Sequence, residues 1–395
     1  MWCTGHTALT QPRATHKGGN ERPGERPAII GAQSTTAIDA PRREEQGVAN
    51  VWRLEKPRNE VDRIFSYTPG TPERDQLLEQ FNALKDQPEE IPLIIAGRAM
   101  QTDAIFEVRC PHDHQRLLAR AHQAREQELK WAIEAALDTQ QAWAALNWYQ
   151  RAAIFYRAAD LLAGPRRLEH IAAIMVNQSK TPFEAEIDLA ELVDFWRFNA
   201  FYTQFLYAQQ PDQGTGELNR FDWRPLEGFV LAIPPFNFYS IGGNLATAPA
   251  MVGNVILWKP ARSALLANYR IMQVLQEAGL PEGVINFVPF ARQYSEVVLG
   301  HPALAGVHFT GSYDTLAHLW QRLGAGLPNY NNFPRIVGET GGKDFIVAHP
   351  SADVEALAAN VIRGAFEYQG QKCSAASRLY VPVTLWNRLK THLLQ

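Results

Sequence analysis

Along the second half of this chain, a thiol, a carboxylate, a carboxamide and a lysine recur on short polar stretches, each placed just after an apolar run. Cys373 lies in Gly370-Gln371-Lys372-Cys373-Ser374. A cysteine on a glycine-bearing turn beside a lysine is placed to be held as thiolate, the form that attacks electron-poor carbon. Taken alone, such a cysteine is more often buried and inert. Its company changes the reading: Pro234-Pro235-Phe236-Asn237-Phe238, Trp258-Lys259-Pro260, Phe309-Thr310-Gly311-Ser312 and Gly338-Glu339-Thr340-Gly341-Gly342-Lys343. In open α/β sheets, ligands sit beyond the carboxyl ends of strands, where these stretches fall. Neither dinucleotide fingerprint glycines nor a phosphate loop is present: Gly342-Lys343 lacks the earlier glycine, and Asp344 stands where a hydroxyl residue is required.

The elements that must carry these groups follow from periodicity. Residues 1–57 are rich in Gly, Pro, Thr and Arg without apolar periodicity and read as a disordered extension. A helix is expected over 72–85 with Thr71 as its cap, a second over 126–163, and a third over 168–206 whose aromatics pack in the core. From 228 onward strands alternate with helices, which implies a parallel sheet covered on both faces, the doubly wound α/β class. A helical region and Rossmann-like cofactor domain would span 58–338, and 339–395 would begin a second, incomplete α/β domain.

Asn237, Lys259, Phe309-Thr310-Gly311-Ser312, Glu339 in Glu-Thr-Gly-Gly-Lys and Cys373, in this order and spacing, resemble the aldehyde dehydrogenase family. The similarity runs from about residue 60 onward. Gly70-Thr71-Pro72-Glu73-Arg74, Ala185-Glu186-Ile187-Asp188, Ile241-Gly242-Gly243-Asn244-Leu245 and Phe366-Glu367-Tyr368-Gln369-Gly370-Gln371-Lys372-Cys373-Ser374 are most similar to its delta-1-pyrroline-5-carboxylate dehydrogenase branch. That branch oxidises glutamate semialdehyde to glutamate with NAD in proline breakdown.

The resemblance implies roles. Cys373 would be the nucleophile, Glu339 the base for thioester hydrolysis, and Asn237 an oxyanion donor, although an Asn there also suits a helix cap. Lys259, with Pro260, would reach the cofactor's ribose, Ser312 its pyrophosphate at a helix start, and Phe309, Thr310 and Gly311 would line the approach. Arg262 stands where many NAD-preferring relatives carry an acid, so NADP is an alternative to NAD. Phe238, Glu191, Lys372 and Ser374 would contact the substrate. Each has a plainer reading: Phe238 as core, Glu191 as a solvated helix face, Lys372 as a neighbour that lowers the thiol pKa.

With 395 residues, 46% apolar and 20% charged, and a formal net charge of −3, the chain reads as globular, with no nucleic-acid or membrane partner. Three cysteines point to a reducing compartment, the cytoplasm first and the mitochondrial matrix as alternative. His112-Asp113-His114 reads as a solvated turn and no metal is expected. In the resembling family the catalytic domain continues well beyond the cysteine. The chain is therefore expected to be truncated, with open strand edges, an uncovered apolar face, and doubt over the family's homodimer. Two competing readings are a cysteine hydrolase using His301 or His349, and a cofactor-binding module without turnover.

Overall fold

Two runs, Phe229-Val230-Leu231-Ala232 and Val255-Ile256-Leu257-Trp258, are buried at every position, the pattern of strands covered on both faces. The computed structural model describes residues 53–86 and 88–395. After a single turn at Glu60–Arg63 come α1 (Pro72–Asp86), β1 (Glu89–Ile91), β2 (Leu93–Ile95), β3 (Arg98–Met100), β4 (Ile105–Cys110) and β5 (Asp113–His122). The helices α2 (Glu126–Ala145), α3 (Trp148–Ala163), α4 (Arg167–Gln178) and α5 (Pro182–Ala208) follow. The alternating part holds β6 (Phe229–Ile233), α6 (Tyr239–Met251), β7 (Val255–Trp258), α7 (Leu265–Glu277), β8 (Ile285–Phe287), α8 (Ser295–Leu299), β9 (Leu304–Thr310), α9 (Tyr313–Gly326) and β10 (Arg335–Glu339). Beyond it lie β11 (Phe345–Val347), α10 (Val354–Phe366), β12 (Arg378–Tyr380) and α11 (Val383–Leu394).

The main sheet has the order β10-β9-β6-β7-β8-β2-β3. Its five strands from β10 to β8 run parallel, while β2 and β3 add an antiparallel edge. Strand order reverses between β6 and β9. Right-handed crossovers then put α6 and α7 on one face and α9 on the other, and open a crevice at the reversal. This is the doubly wound architecture expected, with the strand ends where the polar stretches begin.

Four features differ from the sequence reading. The helix expected over 126–163 is two, parted at Leu146-Asn147, where the Asn147 N–H donates to Gln150 Oε1 at 3.0 Å. The helix expected over 168–206 is also two, because Ser179 turns left-handed (φ 58°) and Thr181 with Glu184 forms a capping box at Pro182. Of the aromatics on that stretch, Trp196 is core, whereas Tyr202 and Phe205 are exposed and form a surface cluster with Phe201. At α1, the Thr71 hydroxyl donates back to the Thr68 carbonyl at 2.9 Å, and its carbonyl begins the helix instead.

The short strands of 89–122, unassigned from periodicity, form the β1-β5-β4 sheet and the main sheet's antiparallel edge. Pro111-His112 is the turn of the β4–β5 hairpin. The extension expected over 1–57 lies outside the described residues as far as Trp52, and Leu54 is tied to the Gln204 side chain through two 3.1 Å bonds. A second, small core of Val354, Ala358, Leu385 and Leu389 lies under α10 and α11. Beside it β11 pairs only with β12 among the described residues, and Phe345, Val347 and Phe366 are exposed.

Helix α5 is anchored by charges taken out of water. Arg167 donates to Glu60 Oε1 and Glu186 Oε1, each at 2.8 Å, and Arg197 donates to Glu60 Oε2 at 2.9 Å. Tyr67 donates to Glu186 Oε2 at 2.6 Å. Burial alone would raise the Glu60 pKa, but the two guanidiniums hold it below the ordinary value. Such a group adds stability above its unfolded pKa and loses it as pH falls. Arg167→Met strands buried carboxylates and is expected to lower stability by about 3–5 kcal/mol. The urea midpoint at neutral pH measures it. The deficit should narrow on acidification, since protonated Glu60 no longer needs a cation.

Candidate active site

The cysteine turn is unusual in its backbone. Between α10 and Cys373 the chain passes through Tyr368 (φ 52°), Gln369 (φ 54°) and Gly370 (φ 71°), left-handed in succession. Only the glycine adopts that region freely, and each of the others stores on the order of 1–3 kcal/mol that neighbours must offset. The neighbours lie on α4 and α5: the Tyr368 N–H donates to Glu184 Oε1 and its hydroxyl to the Gln178 carbonyl, both at 2.8 Å. Cys373 is half-buried and outside any disulfide.

Two further strand ends meet this turn. Asn237, four residues beyond β6, donates through Nδ2 to the Gln371 carbonyl at 2.8 Å. Its amide has a second hydrogen that remains available to a ligand. Gly342 abuts Cys373 so closely that a Cβ there would lie 2.0 Å from the Cys373 carbonyl oxygen, so only glycine lets the loop after Glu339 close on the cysteine. Glu339 is the last residue of β10, paired with Thr310 of β9, and its carbonyl accepts from the Gly311 N–H at 3.0 Å. Cys373, Asn237 and the Glu339 loop thus converge at one edge of the sheet.

The residues expected at a cofactor lie along the same edge. Lys259 follows β7, half-buried, with its ammonium 5.3 Å from the Phe290 ring centre. Burial first, then Arg262, pulls its pKa below the ordinary lysine value. Pro260 is buried beside it, and the Arg262 guanidinium stacks 4.1 Å over Phe106 of β4. Ser312 caps α9 by accepting from the Thr315 N–H at 3.3 Å, and the helix points its amino end at the crevice side of β9. Phe309 is different from the expectation: it is a core side chain whose ring lies against Gly311, so it supports that glycine instead of facing a ligand. Thr310 is also buried.

Phe238 and Glu191 flank Asn237 and the start of α6. The Phe238 ring takes the Lys180 ammonium at 4.4 Å. Glu191 Oε2 accepts from the Ser240 hydroxyl at 2.8 Å. Its pKa is pushed up to about 7, by burial first and then by Asp188 and Asp194, against the pull of Ser240 and Lys180. Lys372 is paired with Glu367 at 2.5 Å, which occupies the charge offered to a substrate carboxylate, and Ser374 is exposed. His301 accepts from the Ala303 N–H and His349 bonds Ser351, each within its own loop. Residues that sequence reasoning passed over, Gln178, Lys180 and Tyr368, line with Phe236 and Gln371 a cleft of about 780 Å³ beside the cysteine turn. A buried polar pair in an apolar helix, Glu186 and Asp188, was the available signal.

Comparison with known proteins covers this part of the chain. Residues 98–395 match the aldehyde dehydrogenase family. The delta-1-pyrroline-5-carboxylate dehydrogenase of Agaricus bisporus is 46% identical over 336 residues, 84% of this chain and 62% of that protein. The mitochondrial enzyme of that name from Rattus norvegicus is 46% identical over 334 residues, 84% of this chain and 59% of the relative. Among solved structures, the delta-pyrroline-5-carboxylate dehydrogenase from Mycobacterium tuberculosis bound with NAD superposes with a TM-score of 0.85 at 48% identity, covering 88% of this chain and 65% of that one. The chain therefore spans roughly three-fifths of the length of the curated relatives it matches. No helix among the described residues is long and apolar enough to cross a membrane.

The raised Glu191 pKa has a measurable sign. Folded protein holds this proton more tightly than unfolded chain, so stability should fall as pH rises from about 4.5 to about 7. The full loss is about 3 kcal/mol. Glu191→Gln should flatten that window when urea midpoints at pH 5 and pH 8 are compared; an unchanged pH dependence would refute the assignment.

Proposed function

The chain belongs to the aldehyde dehydrogenase family, and on that footing we propose that it carries the site that oxidises glutamate semialdehyde to glutamate with NAD. The observation that carries this reading is the convergence of Asn237 and Gly342 on the Cys373 turn. The names of the relatives and of the NAD-bound neighbour support the substrate and the cofactor.

The Cys373 thiolate adds to the aldehyde carbon, and the alkoxide that forms accepts hydrogen bonds from the second N–H of the Asn237 amide and from the Cys373 N–H. A bound nicotinamide would supply the hydride acceptor. What is left on Cys373 is a thioester. Glu339 removes a proton from water as it attacks that carbonyl, and the thiolate leaves with glutamate's new carboxylate formed. Phe238 presses on the aliphatic chain, and Glu191, Lys372 and Ser374 lie at its polar ends, with Lys372 acting through its pair with Glu367.

The residues present fit the dinucleotide. A half-buried lysine amine at the end of β7 suits ribose hydroxyls, and the α9 amino end capped by Ser312 suits a pyrophosphate. Thr310 and Gly311 complete that wall. Either the cytoplasm or the mitochondrial matrix agrees with the three cysteines, and the matrix also with the rat relative's name.

Reduction of NAD, followed by absorbance on adding glutamate semialdehyde, tests the reading. Cys373→Ala is expected to abolish turnover with NAD affinity nearly unchanged, and Glu339→Gln to give one burst of reduced cofactor and then stall. Turnover that survives Cys373→Ala refutes the mechanism, and binding of NAD without reduction leaves only a cofactor-binding module.

The stacked Arg262 gives a second test. A guanidinium parked on Phe106 is close enough to Lys259 to lower its pKa, and a 2′-phosphate there would gain about 1.5–3 kcal/mol per charge-assisted bond. Arg262→Asp should therefore lower the NADP-to-NAD affinity ratio at least tenfold, in the range of one such bond. An unchanged ratio in titrations of both cofactors removes Arg262 from the 2′ position.

A further inference from the structure

Lys180 has no part in the chemistry above, yet it touches both walls of the site. It sits in the turn between α4 and α5 and is only 5% exposed. Its ammonium is 2.5 Å from Asp188 Oδ2 and lies between two rings, 4.4 Å from the Phe238 centre and 4.5 Å from the Tyr368 centre. Phe238 is the residue after Asn237, and Tyr368 begins the left-handed turn that leads to Cys373. Asp188 continues the linkage by accepting from the Tyr239 N–H at 2.8 Å and the Ser240 N–H at 3.0 Å, the first amides of α6. Gln178 repeats the pattern, donating to the Phe236 carbonyl at 2.7 Å while its own carbonyl accepts the Tyr368 hydroxyl at 2.8 Å.

We propose that Lys180 is a positioning residue that wedges the Asn237 segment against the Cys373 turn and holds oxyanion donor and nucleophile at one spacing before substrate arrives. The reasoning is mechanical and electrostatic. Aromatic faces attract a desolvated cation from either side, and the carboxylate of Asp188 keeps that cation in place. A turn with left-handed Tyr368 and Gln369 relaxes unless it is held, and Tyr368 is the residue being held. The inference rests on reading Cys373 and Asn237 as nucleophile and donor, so its test separates the wedge from that reading.

Lys180→Met keeps the length of the side chain and removes its charge. Hydrogen exchange by mass spectrometry should then show the amides of 238–240 and of 368–375 exchanging together, about tenfold faster or more, while β6 and β9 stay protected. Lys180→Arg, which can still stack and pair with Asp188, should restore most of the protection at both places. Loosening at one wall only, at neither, or equally across the molecule overturns the proposal. Should Lys180→Met fail to fold, Tyr368→Leu leaves the Lys180–Asp188 pair intact and must still loosen the amides of 238–240; unchanged exchange there overturns it too. Alkylation of Cys373 by iodoacetamide, with buried Cys110 as internal reference, is read in parallel. Linked loosening supports the wedge whatever Cys373 does, and a Cys373 rate that ignores it counts against the nucleophile assignment alone.

Discussion

Charge removed from water dictates how this molecule is assembled. Arg167, Lys180, Glu186 and Asp188 are each at most 5% exposed, and an ion so placed is tolerable only when an opposite charge and several hydrogen bonds replace its hydration. Their partners are drawn from distant parts of the chain. Glu186 collects Arg167, the Tyr67 hydroxyl and the Phe65 N–H, which fastens the segment before α1. Asp188 collects Lys180 and the first amides of α6, which fastens the strand-to-helix passage that carries Asn237. Helix α5 is therefore a spine to which the separate pieces of the site are tied, and few geometries satisfy all of its charges at once.

The parallel sheet supplies the other half of the arrangement. Strands covered on both faces leave only their ends for polar chemistry, and the reversal between β6 and β9 opens the crevice there. β6 delivers Asn237, β7 delivers Lys259, β9 delivers Gly311 and Ser312, and β10 delivers Glu339. Cys373 arrives from elsewhere, on a turn after α10 that lies outside the main sheet. Gly342 then becomes decisive, since its missing side chain is what lets the β10 loop touch the Cys373 backbone.

Electrostatics divides the site into a neutralised part and a responsive part. Lys372 with Glu367 and Lys180 with Asp188 are closed pairs. Glu191 is the group left poised, because burial and two neighbouring carboxylates bring its proton affinity to about 7. A carboxyl that titrates near neutrality beside Ser240 and Phe238 can present either a donor or a charge to a ligand that carries both an ammonium and a carboxylate.

Much of this was legible in the residues. The alternation of short apolar runs with helical ones marked β6 to β10 and their helices, because β6 to β9 are buried nearly throughout and must be apolar, and parallel neighbours need crossovers; β10, at the sheet's edge, is mostly exposed. Cys373, Glu339 and Asn237 stood out through their resemblance to the family in order and spacing, and the polar stretches through the apolar runs before them. Helix breaks at Asn147 and Ser179 were overrun because apolar periodicity continues across a cap, even though Asn147 with Gln150 and Thr181 with Glu184 spelled the caps out. Phe309 stands directly before the polar Thr310-Gly311-Ser312 stretch, yet as part of a strand covered on both faces its side chain belongs to the core. The roles of Lys180, Gln178 and Tyr368 were barely legible, with only the acidic pair Glu186 and Asp188 in an apolar helix to point to them. A lysine in a turn normally lies in water, and only the fold, by bringing Asp188, Phe238 and Tyr368 around it from separate stretches of chain, removes that water and turns a surface charge into a fastening.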